Sequence, residues 1–477
     1  MISIDPRLPT PLVRQLYEAI ARAIGSSAFG PGARLPSVRA LAKECAVSTM
    51  TVTNAYQRLV AEGLVEARRA SGYYVAQRKA TAARRMPFRG RTAVDAHWLL
   101  KHVYEDDKTL LNAGCGWVPP EMLHTDGIRR ALAALGRKSA VGFASYGTPH
   151  GYLPLRQQIQ VMLAQRDIEA PPHQIVMTSG AFQALGLIAR CLLQPRDAVL
   201  VDEPGSTNLF ATLRAMDLRL IGVERTVHGP DLEALQALAQ RHKAKAFFTS
   251  TNLHNPTGSL CTPAVAHQML RLAEQHDFVI VDNDVMAGLD PPGATCLAGL
   301  GGLERVIHVG SFSKTVSPAL RVGFVAAREE FSEKLIFQKM MGGLTTSELN
   351  EKLLHGVLTE GRYRNHLAQL SGRLRHAMAA VCDGVEGAGM HLFLRPWGGP
   401  FLWARFEADH VDMRALTQRA VSEGILLAPG DLFRTDLQPT PWMRFNAGYA
   451  DDKHLYRFLT REARMLRSVP RARPPAV

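Results

Sequence analysis

The sequence predicts two domains, a small helical domain at the N-terminus and a large α/β domain built on a mostly parallel sheet. Three observations support this prediction. The chain has 477 residues, more than one ordinary hydrophobic core holds. Apolar residues recur at helical spacing through much of residues 1–76. From about residue 96, short apolar segments alternate with helical stretches, as in a parallel sheet covered by helices.

The N-terminal domain begins with a helix predicted over "PLVRQLYEAIARAI", whose apolar residues share one face. Two more helices, in "SVRALAKECAV" and "STMTVTNAYQRLVAEGL", each follow a serine, Ser37 and Ser48, that can cap the first turn. The segment "VEARRASGYYVA" then predicts two strands joined by a turn near residues 70–72. This order is typical of a winged helix-turn-helix, whose second helix in the motif enters the major groove of DNA.

The charge of this domain favours a polyanionic partner. Residues 1–95 hold 15 Lys and Arg against 6 Asp and Glu, so they carry +9 of the chain's net charge of +13. Double-stranded DNA fits both the charge and the order of elements, and the alternative is a small helical domain that binds protein. Hydroxyl residues at the start of the third helix, and arginines around it, are the candidate DNA contacts. They are Arg34, Arg39, Ser48, Thr49, Thr51, Thr53, Arg68 and Arg69.

Two segments are predicted to lie outside the folded domains. Residues 77–95 are basic and lack apolar periodicity, which indicates a linker, and the tail 471–477 is rich in Pro and predicted to be disordered. No apolar run reaches the roughly 18 residues of a membrane span and the N-terminus lacks a signal-peptide core, so a cytoplasmic location is expected. The six cysteines lack the spacing of a zinc site or a disulfide framework, and no metal is predicted.

The large domain contains five apolar segments that read as strands. They are "QIVMTSG", "AVLVDEP", "AFFTSTN", "FVIVDND" and "RVIHVGSFS", and helices such as "AFQALGLIARCLL" lie between them. Ligands of such sheets bind at the carboxyl ends of the strands. Several polar clusters of this sequence fall at those ends.

One cluster surrounds Lys314 in "GSFSKTVSPALRVGF". A single lysine is weak evidence, but a lysine at a strand end can form an imine with an aldehyde when its pKa is lowered. A phosphorylated aldehyde also needs an anion site, which the turn into a helix at "TSGAFQAL" could provide. Asn255, in "NLHNPTG", is an amide suited to a phenolic oxygen. The candidate anion-binding residues are Ser179, Gly180, Ala181, Ser311, Ser313 and Arg321.

These motifs resemble two known families. The stretch "PGARLPSVRALAKECAVSTMTVTNAYQRLVAEGLVE" resembles the GntR-type winged helix. Residues 96–470 resemble fold-type-I aminotransferases, which depend on pyridoxal 5′-phosphate (PLP), in the ordered motifs "YGTPHGYLPLR", "TSGAFQAL", "VLVDEPG", "HNPTG", "SFSKTVSPALRVGF", "GGPFLW" and "WMRFNAG". The whole chain is similar to the MocR family of bacterial regulators. The resemblance implies a smaller C-terminal α+β subdomain over about residues 350–470.

The resemblance also implies residue roles. Lys314 would bind PLP covalently, Arg321 its phosphate and Asn255 its phenolic oxygen. Tyr146 would contact the phosphate in the partner subunit of a homodimer. Arg444 would bind the α-carboxylate of an amino acid, which suits a guanidinium, although a surface arginine is the alternative. The expected cofactor-binding residues are Tyr146, Ser179, Gly180, Ala181, Phe182, Asn255, Asn283, Ser311, Ser313, Lys314 and Arg321.

The sequence departs from the aminotransferase pattern in "VDNDVMAGL". An ungapped match puts Asn283 where the family has the aspartate that keeps the pyridine nitrogen protonated, and Met286 where it has a tyrosine. Asparagine supplies no such charge, so the ring would withdraw electrons weakly and transaminase activity should be weak or absent. A slip of one residue would instead place Asp282 or Asp284 at the nitrogen.

A third departure concerns the residue that stacks on the ring. Ser206, in "VDEPGSTNLF", stands where the family commonly has an aromatic side chain. Phe182 or Phe210 could take its place, and the sequence does not decide between them.

Three functions remain open from the sequence. The favoured hypothesis is a regulator that binds DNA as a homodimer, holds PLP on Lys314 and senses PLP or an amine or amino acid that exchanges with it. Genes of vitamin B6, amino-acid or related metabolism are its expected targets. The second is a working aminotransferase with a DNA-binding appendage, which "DNDVM" disfavours. The third is a regulator whose large domain is a dimerisation scaffold without cofactor, which the intact "SFSKT" and "HNPTG" disfavour.

Overall fold

The computed structural model describes most of the chain, and its contacts form two compact units, Met1–Thr92 and Ala93–Val477. Three expected features lie outside the described residues, namely Arg69, the linker 77–95 and the tail 471–477. The described residues are 4–6, 10–25, 28–68, 71–76, 110–137, 146–408 and 411–468.

The N-terminal unit contains the predicted three helices and hairpin. Ser37 and Ser48 cap the second and third helices through hydrogen bonds to the backbone N–H of Ala40 and Thr51, so the sequence signals for both helix starts are confirmed. Apolar side chains of all three helices and of the hairpin, with Tyr56 fully buried among them, form one small core. The elements are α1 (Leu12–Gly25), α2 (Val38–Glu44), α3 (Thr49–Ala61), β1 (Val65–Arg68) and β2 (Gly72–Val75).

The second unit is built on an eight-stranded sheet, which confirms the predicted α/β fold. The order of its strands is β3-β10-β9-β8-β7-β4-β5-β6, and the pairs β9-β8, β8-β7, β7-β4 and β4-β5 are parallel. All five strands that the sequence predicts lie in it. The strands are β3 (Ile175–Thr178), β4 (Ala198–Glu203), β5 (Arg219–Thr226), β6 (Gly229–Pro230), β7 (Ala246–Thr249), β8 (Val279–Asp284), β9 (Val306–Ser311) and β10 (Gly323–Ala326).

Helices cover both faces of this sheet, so it separates two apolar cores. The strands are apolar on both faces, as expected of a parallel sheet between helices. The helices are α4 (Thr125–Leu135), α5 (Leu153–Ala164), α6 (Ala181–Leu192), α7 (Thr207–Ala215), α8 (Leu232–His242), α9 (Pro263–Gln275), α10 (Leu297–Gly301), α11 (Glu329–Gly343) and α12 (Glu348–Thr359).

Strand β10 is antiparallel to both of its neighbours, β3 and β9, and the sequence did not predict it. Gly323 pairs with Thr178 on one side and with Ser311 on the other. Because Arg321 precedes Gly323 by two residues, this pairing brings Arg321 to the carboxyl ends of both neighbouring strands. The strand therefore assembles the expected anion site from three separate segments.

The C-terminal part forms the expected smaller subdomain around a four-stranded antiparallel sheet of order β11-β12-β14-β13. Helix α12 (Glu348–Thr359), at the start of the expected range, packs instead in the core of the large sheet. The segment Leu111–Trp117 joins the small sheet, since Gly114 N–H donates to Leu426. No helix among the described residues is long and apolar enough to cross a membrane. The elements are α13 (Tyr363–Gly387), β11 (Met390–Leu392), β12 (Phe401–Phe406), α14 (Met413–Ser422), β13 (Ala428–Pro429), β14 (Trp442–Asn446) and α15 (Lys453–Ser468).

Candidate functional site

Lys314 lies in the turn after β9, where its ammonium nitrogen donates a hydrogen bond to the carbonyl of Gly116. Burial, together with the nearby guanidinium groups of Arg444 and Arg321, lowers the pKa of Lys314 to about 8. The next residue, Thr315, is held through its hydroxyl by Tyr363 at 3.0 Å and through its backbone carbonyl by His366 at 2.7 Å. A lysine with a lowered pKa and a fixed backbone has the properties that imine formation requires.

Arg444 lies on β14 and its side chain is buried beside Lys314, with 7% of the residue exposed. It donates to the side-chain oxygen of Asn255 at 2.9 Å and to the carbonyl of Gly114 at 2.8 Å. The rings of Phe401 and Phe433 each lie 4.9 Å from its guanidinium carbon. Its Nε has no hydrogen-bond partner in the described part of the chain. Arg444 is therefore not a surface arginine, and its role in carboxylate binding stays a prediction.

The expected anion site forms around the N-terminus of α6. Gly180 precedes the helix without a side-chain cap, which leaves backbone N–H groups of the first turn available to an anion. Arg321 donates to the carbonyl of Ser179 at 3.1 Å and lies 3.5 Å from the hydroxyl of Ser313, which is 3.3 Å from that of Ser311. Gly180 has φ +83°, and a Cβ there would lie 2.6 Å from Arg321. Only glycine leaves this cradle open.

The two aspartates that a one-residue slip would place at a cofactor ring are engaged elsewhere. Asp282 accepts hydrogen bonds from the backbone and the hydroxyl of Thr251, at 3.1 and 2.9 Å. Asp284 forms a 2.7 Å ion pair with Arg166. Both are fully buried, and burial raises the pKa of Asp282 to about 7.

Asn283 lies between these aspartates on β8, so its side chain points to the opposite face of the sheet. That face also carries Val281, which packs in the same core as the helix α6 that begins at the anion site. The side-chain oxygen of Asn283 is buried and has no hydrogen-bond partner among the described residues. Because side chains alternate between the two faces of β8, this arrangement favours the ungapped match, in which Asn283 would lie at the pyridine nitrogen.

The structure also shows where the residues of the other two departures from the aminotransferase pattern lie. Met286 is 2% exposed and packs in an apolar cluster with Leu253 and Phe401. Of the two candidates for ring stacking, Phe210 is fully buried in the core under α6, whereas Phe182, on the first turn of α6, is 47% exposed. Phe182 therefore remains available beside the anion site, and Phe210 does not.

The residues around Lys314 fit PLP in three respects. The glycine cradle and Arg321 suit a phosphate group. The side-chain amide of Asn283 is buried with its oxygen unpartnered, and with oxygen and nitrogen exchanged it would donate an N–H to an uncharged ring nitrogen. Arg444 carries an unpartnered N–H beside Lys314, where the carboxylate of an exchanging amino acid would lie. Tyr146, expected to reach the partner subunit, is 85% exposed.

The sequence did not single out the backbone segment Gly114–Gly116, to which both Lys314 and Arg444 bond. A Cβ on Gly114 would lie 2.3 Å from the backbone nitrogen of Ala428, so a glycine is required where this segment crosses the small sheet. The glycines on both sides of a cysteine in "AGCGW" were the available signal.

In the N-terminal unit, three of the four hydroxyl groups predicted to contact DNA are bonded within α3 or its cap. Ser48 accepts from the backbone of Thr51 at 3.0 Å, and the two hydroxyls are 2.9 Å apart. Thr53 donates to the carbonyl of Thr49 at 2.9 Å. The hydroxyls of Ser48, Thr51 and Thr53 therefore each have a hydrogen-bond partner within the protein when no DNA is bound.

Two residues that the sequence reasoning missed are exposed on α3. Met50 is 66% exposed, and Asn54, one turn later on the same side of the helix, is also exposed. Arg39 lies exposed on the first turn of α2. On the hairpin, Arg68 stacks over Tyr74 at 4.4 Å. The backbone of Arg34 bridges that of Tyr74, and its side chain passes near Gly72.

Comparisons with known proteins agree with this architecture. Residues 12–75 match the family "Bacterial regulatory proteins, gntR family", and residues 121–461 match "Aminotransferase class I and II". The uncharacterized HTH-type transcriptional regulator YdcR of Escherichia coli (strain K12) is 30% identical over 450 residues, which cover 91% of this chain and 95% of YdcR.

Two other similar proteins are aminotransferases. The 2-aminoadipate transaminase of Thermus thermophilus is 28% identical over 331 residues, or 68% of this chain and 82% of that enzyme. The crystal structure of Pyrococcus horikoshii kynurenine aminotransferase has a TM-score of 0.71 at 24% identity, covers 80% of this chain and 96% of that chain, and thus shares its fold. A GntR-type helix-turn-helix joined to an aminotransferase class I and II domain places the chain in the MocR family of transcriptional regulators.

Proposed function

We propose that this regulator binds PLP at Lys314 and uses it to sense a primary amine or amino acid. The observation that carries the proposal is the convergence of Lys314 and Arg444 on the carbonyls of one short segment, Gly114–Gly116. PLP, when bound, supplies an aldehyde that reacts reversibly with primary amines. An amine that displaces Lys314 from that aldehyde frees the lysine side chain.

Each residue of the site has a part in this exchange. Lys314, with its pKa near 8, has a substantial neutral fraction at neutral pH and can attack an aldehyde carbon. Arg321 and the N-terminus of α6 would hold the phosphate and keep the cofactor in place while the lysine is displaced. Arg444, positioned by Asn255, would bind the carboxylate and so select amino acids over simple amines.

Sensing is favoured over turnover because of Asn283. Removal of a proton from a bound amino acid requires a ring that withdraws electrons, and a neutral amide does not hold the ring nitrogen in its charged form. The neighbouring carboxylates of Asp282 and Asp284 lie on the other face of β8 and have partners there. Binding and exchange need no such charge.

A homodimer is part of the proposal. Tyr146, expected to complete the partner's site, is 85% exposed in the single chain. Large apolar side chains of α11 and the turn after it, among them Phe337, Met341 and Leu344, are more than half exposed, which suits a surface covered by a second subunit. Two subunits present two recognition helices, so an operator with two half-sites is expected.

Absorption spectroscopy with a DNA-binding assay tests the proposal. PLP is titrated into the wild-type protein and into Lys314→Ala, and amino acids are then added to the PLP-loaded protein. The expected result is a visible band that requires Lys314 and changes with amino acids, together with a change in operator affinity. A band absent from the wild type, or equal in both proteins, would favour the scaffold hypothesis.

A further inference from the structure

A second cavity lies outside the Lys314 site. It has a volume of about 460 Å³ and opens between the carboxyl ends of β4 and β5 on the large sheet and the strands β12 and β14 of the small sheet. None of the residues assigned to PLP or to the amino acid lines it. Its position, between the two sheets of the unit, means that a bound molecule would contact both.

Acidic side chains dominate the charge of this cavity. Glu203 and Glu224 are paired residues of β4 and β5, and both border it together with Asp436. Arg434 bonds Asp436 at 3.0 and 3.1 Å and forms a 3.4 Å ion pair with Glu203 Oε1, so its guanidinium pairs with two of the three carboxylates. Arg225, which also borders the cavity, is already paired with an aspartate, at 3.0 Å. The residues that line the cavity therefore carry more negative than positive charge.

One of these carboxylates is incompletely satisfied. Glu203 Oε1 is buried and, beyond its 3.4 Å ion pair with Arg434, accepts no hydrogen bond among the described residues, while Oε2 accepts one from Thr435 at 2.6 Å. A buried carboxylate oxygen favours a donor, and a charged donor most of all.

Aromatic rings form the facing wall. The indoles of Trp403 and Trp442 stack with centroids 5.9 Å apart, and the ring of Phe393 meets Trp442 edge-on at 5.9 Å. All three border the cavity. Aromatic faces opposite carboxylates form an environment that attracts an organic cation through both charge and ring quadrupole.

We propose that this cavity binds an organic ammonium cation that carries a flat apolar group. The ammonium group lies at Glu203 and Glu224, and the apolar group lies against the indole wall. A carboxylate ligand of the same shape is excluded by the net negative charge. Because the cavity lacks a reactive lysine, this ligand binds without covalent chemistry.

The side chain of Phe433 connects the cavity to the Lys314 site. The ring of Phe433 packs 5.3 Å from that of Trp403 and 4.9 Å from the guanidinium carbon of Arg444. The carbonyl of Phe433 accepts from Gly205, the residue after the cavity-lining Pro204. A ligand that shifts Trp403 or Phe433 therefore acts on Arg444, and the proposed amino-acid affinity changes with occupancy of the cavity.

The test compares two probes of the same shape and opposite charge, phenethylamine and 3-phenylpropionate. Calorimetric titration uses full-length protein freed of PLP, so that no imine can form at Lys314. Phenethylamine is expected to bind and 3-phenylpropionate to bind at least about tenfold more weakly. In Glu203→Gln and Glu224→Gln the affinity for phenethylamine falls about tenfold, as expected for loss of one charged contact.

Two control variants make the result specific. Glu304 is exposed just before β9, at the amino ends of the parallel strands, whereas the cavity lies at their carboxyl ends. Glu304→Gln is therefore expected to leave the affinity for phenethylamine unchanged. Lys314→Ala also leaves it unchanged, which separates this cavity from the PLP site. Because Glu224 is exposed, its variant keeps the test valid if Glu203→Gln fails to fold. Equal affinity for both probes, no effect of either Gln substitution, or a loss of binding in Lys314→Ala would overturn the proposal.

Discussion

The guanidinium of Arg444 donates a 2.9 Å hydrogen bond to the side-chain oxygen of Asn255, which joins the small sheet to a loop of the large domain. The bond fixes the plane of the guanidinium, and stacking between two phenylalanine rings keeps water from its faces. A buried cation held in this way is well placed for one carboxylate. Its Nε, which has no partner in the described structure, would complete the contact.

We predict that Arg444→Gln abolishes the response to amino acids and leaves PLP binding in place. Loss of one partner of a buried charged contact costs about 2 kcal/mol or more, so the affinity of the PLP-loaded protein for amino acids should fall about 30-fold or more. The affinity for a simple amine without a carboxylate, measured by the same spectral titration, should change little. A comparable loss for both ligands would contradict a role in carboxylate recognition.

The capture of PLP should depend on pH in a way that reports the pKa of Lys314. The neutral amine is the nucleophile, so the rate rises with pH while the lysine is being deprotonated and levels off above its pKa. For Lys314 the rate of PLP capture is expected to become constant above about pH 8. For a solvated lysine with a pKa of 10.5, the rate would continue to rise up to pH 10. Stopped-flow absorbance from pH 6 to 10 distinguishes the two profiles.

Asn283→Asp should introduce transaminase activity. A carboxylate at this position would keep the ring nitrogen charged, and we expect turnover of amino acids to rise about tenfold or more above the wild type. Asn283→Gln, which adds no charge, is the matched control and should show no gain. If the aspartate variant binds PLP normally and still shows no gain, another residue limits the chemistry.

Met50 and Asn54 should determine which bases the protein recognises. An apolar side chain suits the methyl group of thymine and an amide suits adenine in the major groove, whereas the nearby hydroxyls are bonded within the helix. Met50→Ala and Asn54→Ala should each reduce the preference for operator over unrelated DNA by about tenfold. Titrations of each protein with the operator, with variant operators and with unrelated DNA would measure this preference.

Arg39→Ala is expected to change the overall affinity for DNA and not the preference for particular bases. An arginine that contacts phosphate should weaken operator and unrelated DNA equally and lower the dependence of binding on salt. If Arg39→Ala changed base preference and the α3 variants did not, the assignment of readout to Met50 and Asn54 would be wrong.

Much of the fold was predictable because its signals are local. Ser37 and Ser48 mark helix starts, and the apolar runs of β4 and β8 can be read directly, since caps and side-chain periodicity involve residues close in the chain. Strand β10 was missed because its four residues carry no alternation, and its pairing with β3 joins positions about 150 residues apart.

The sequence by itself determined the two-domain order and the place of Lys314 at a strand end, and it left open whether Asn283 or a neighbouring aspartate would face a cofactor ring. The tertiary structure favours Asn283 over the two aspartates, because the side that a strand residue faces depends on which helices pack on each face. It also brought Gly114–Gly116 to Lys314 and Arg444, and Phe433 between Trp403 and Arg444. Those relations join residues distant in the chain, and only packing of the two sheets against each other specifies them.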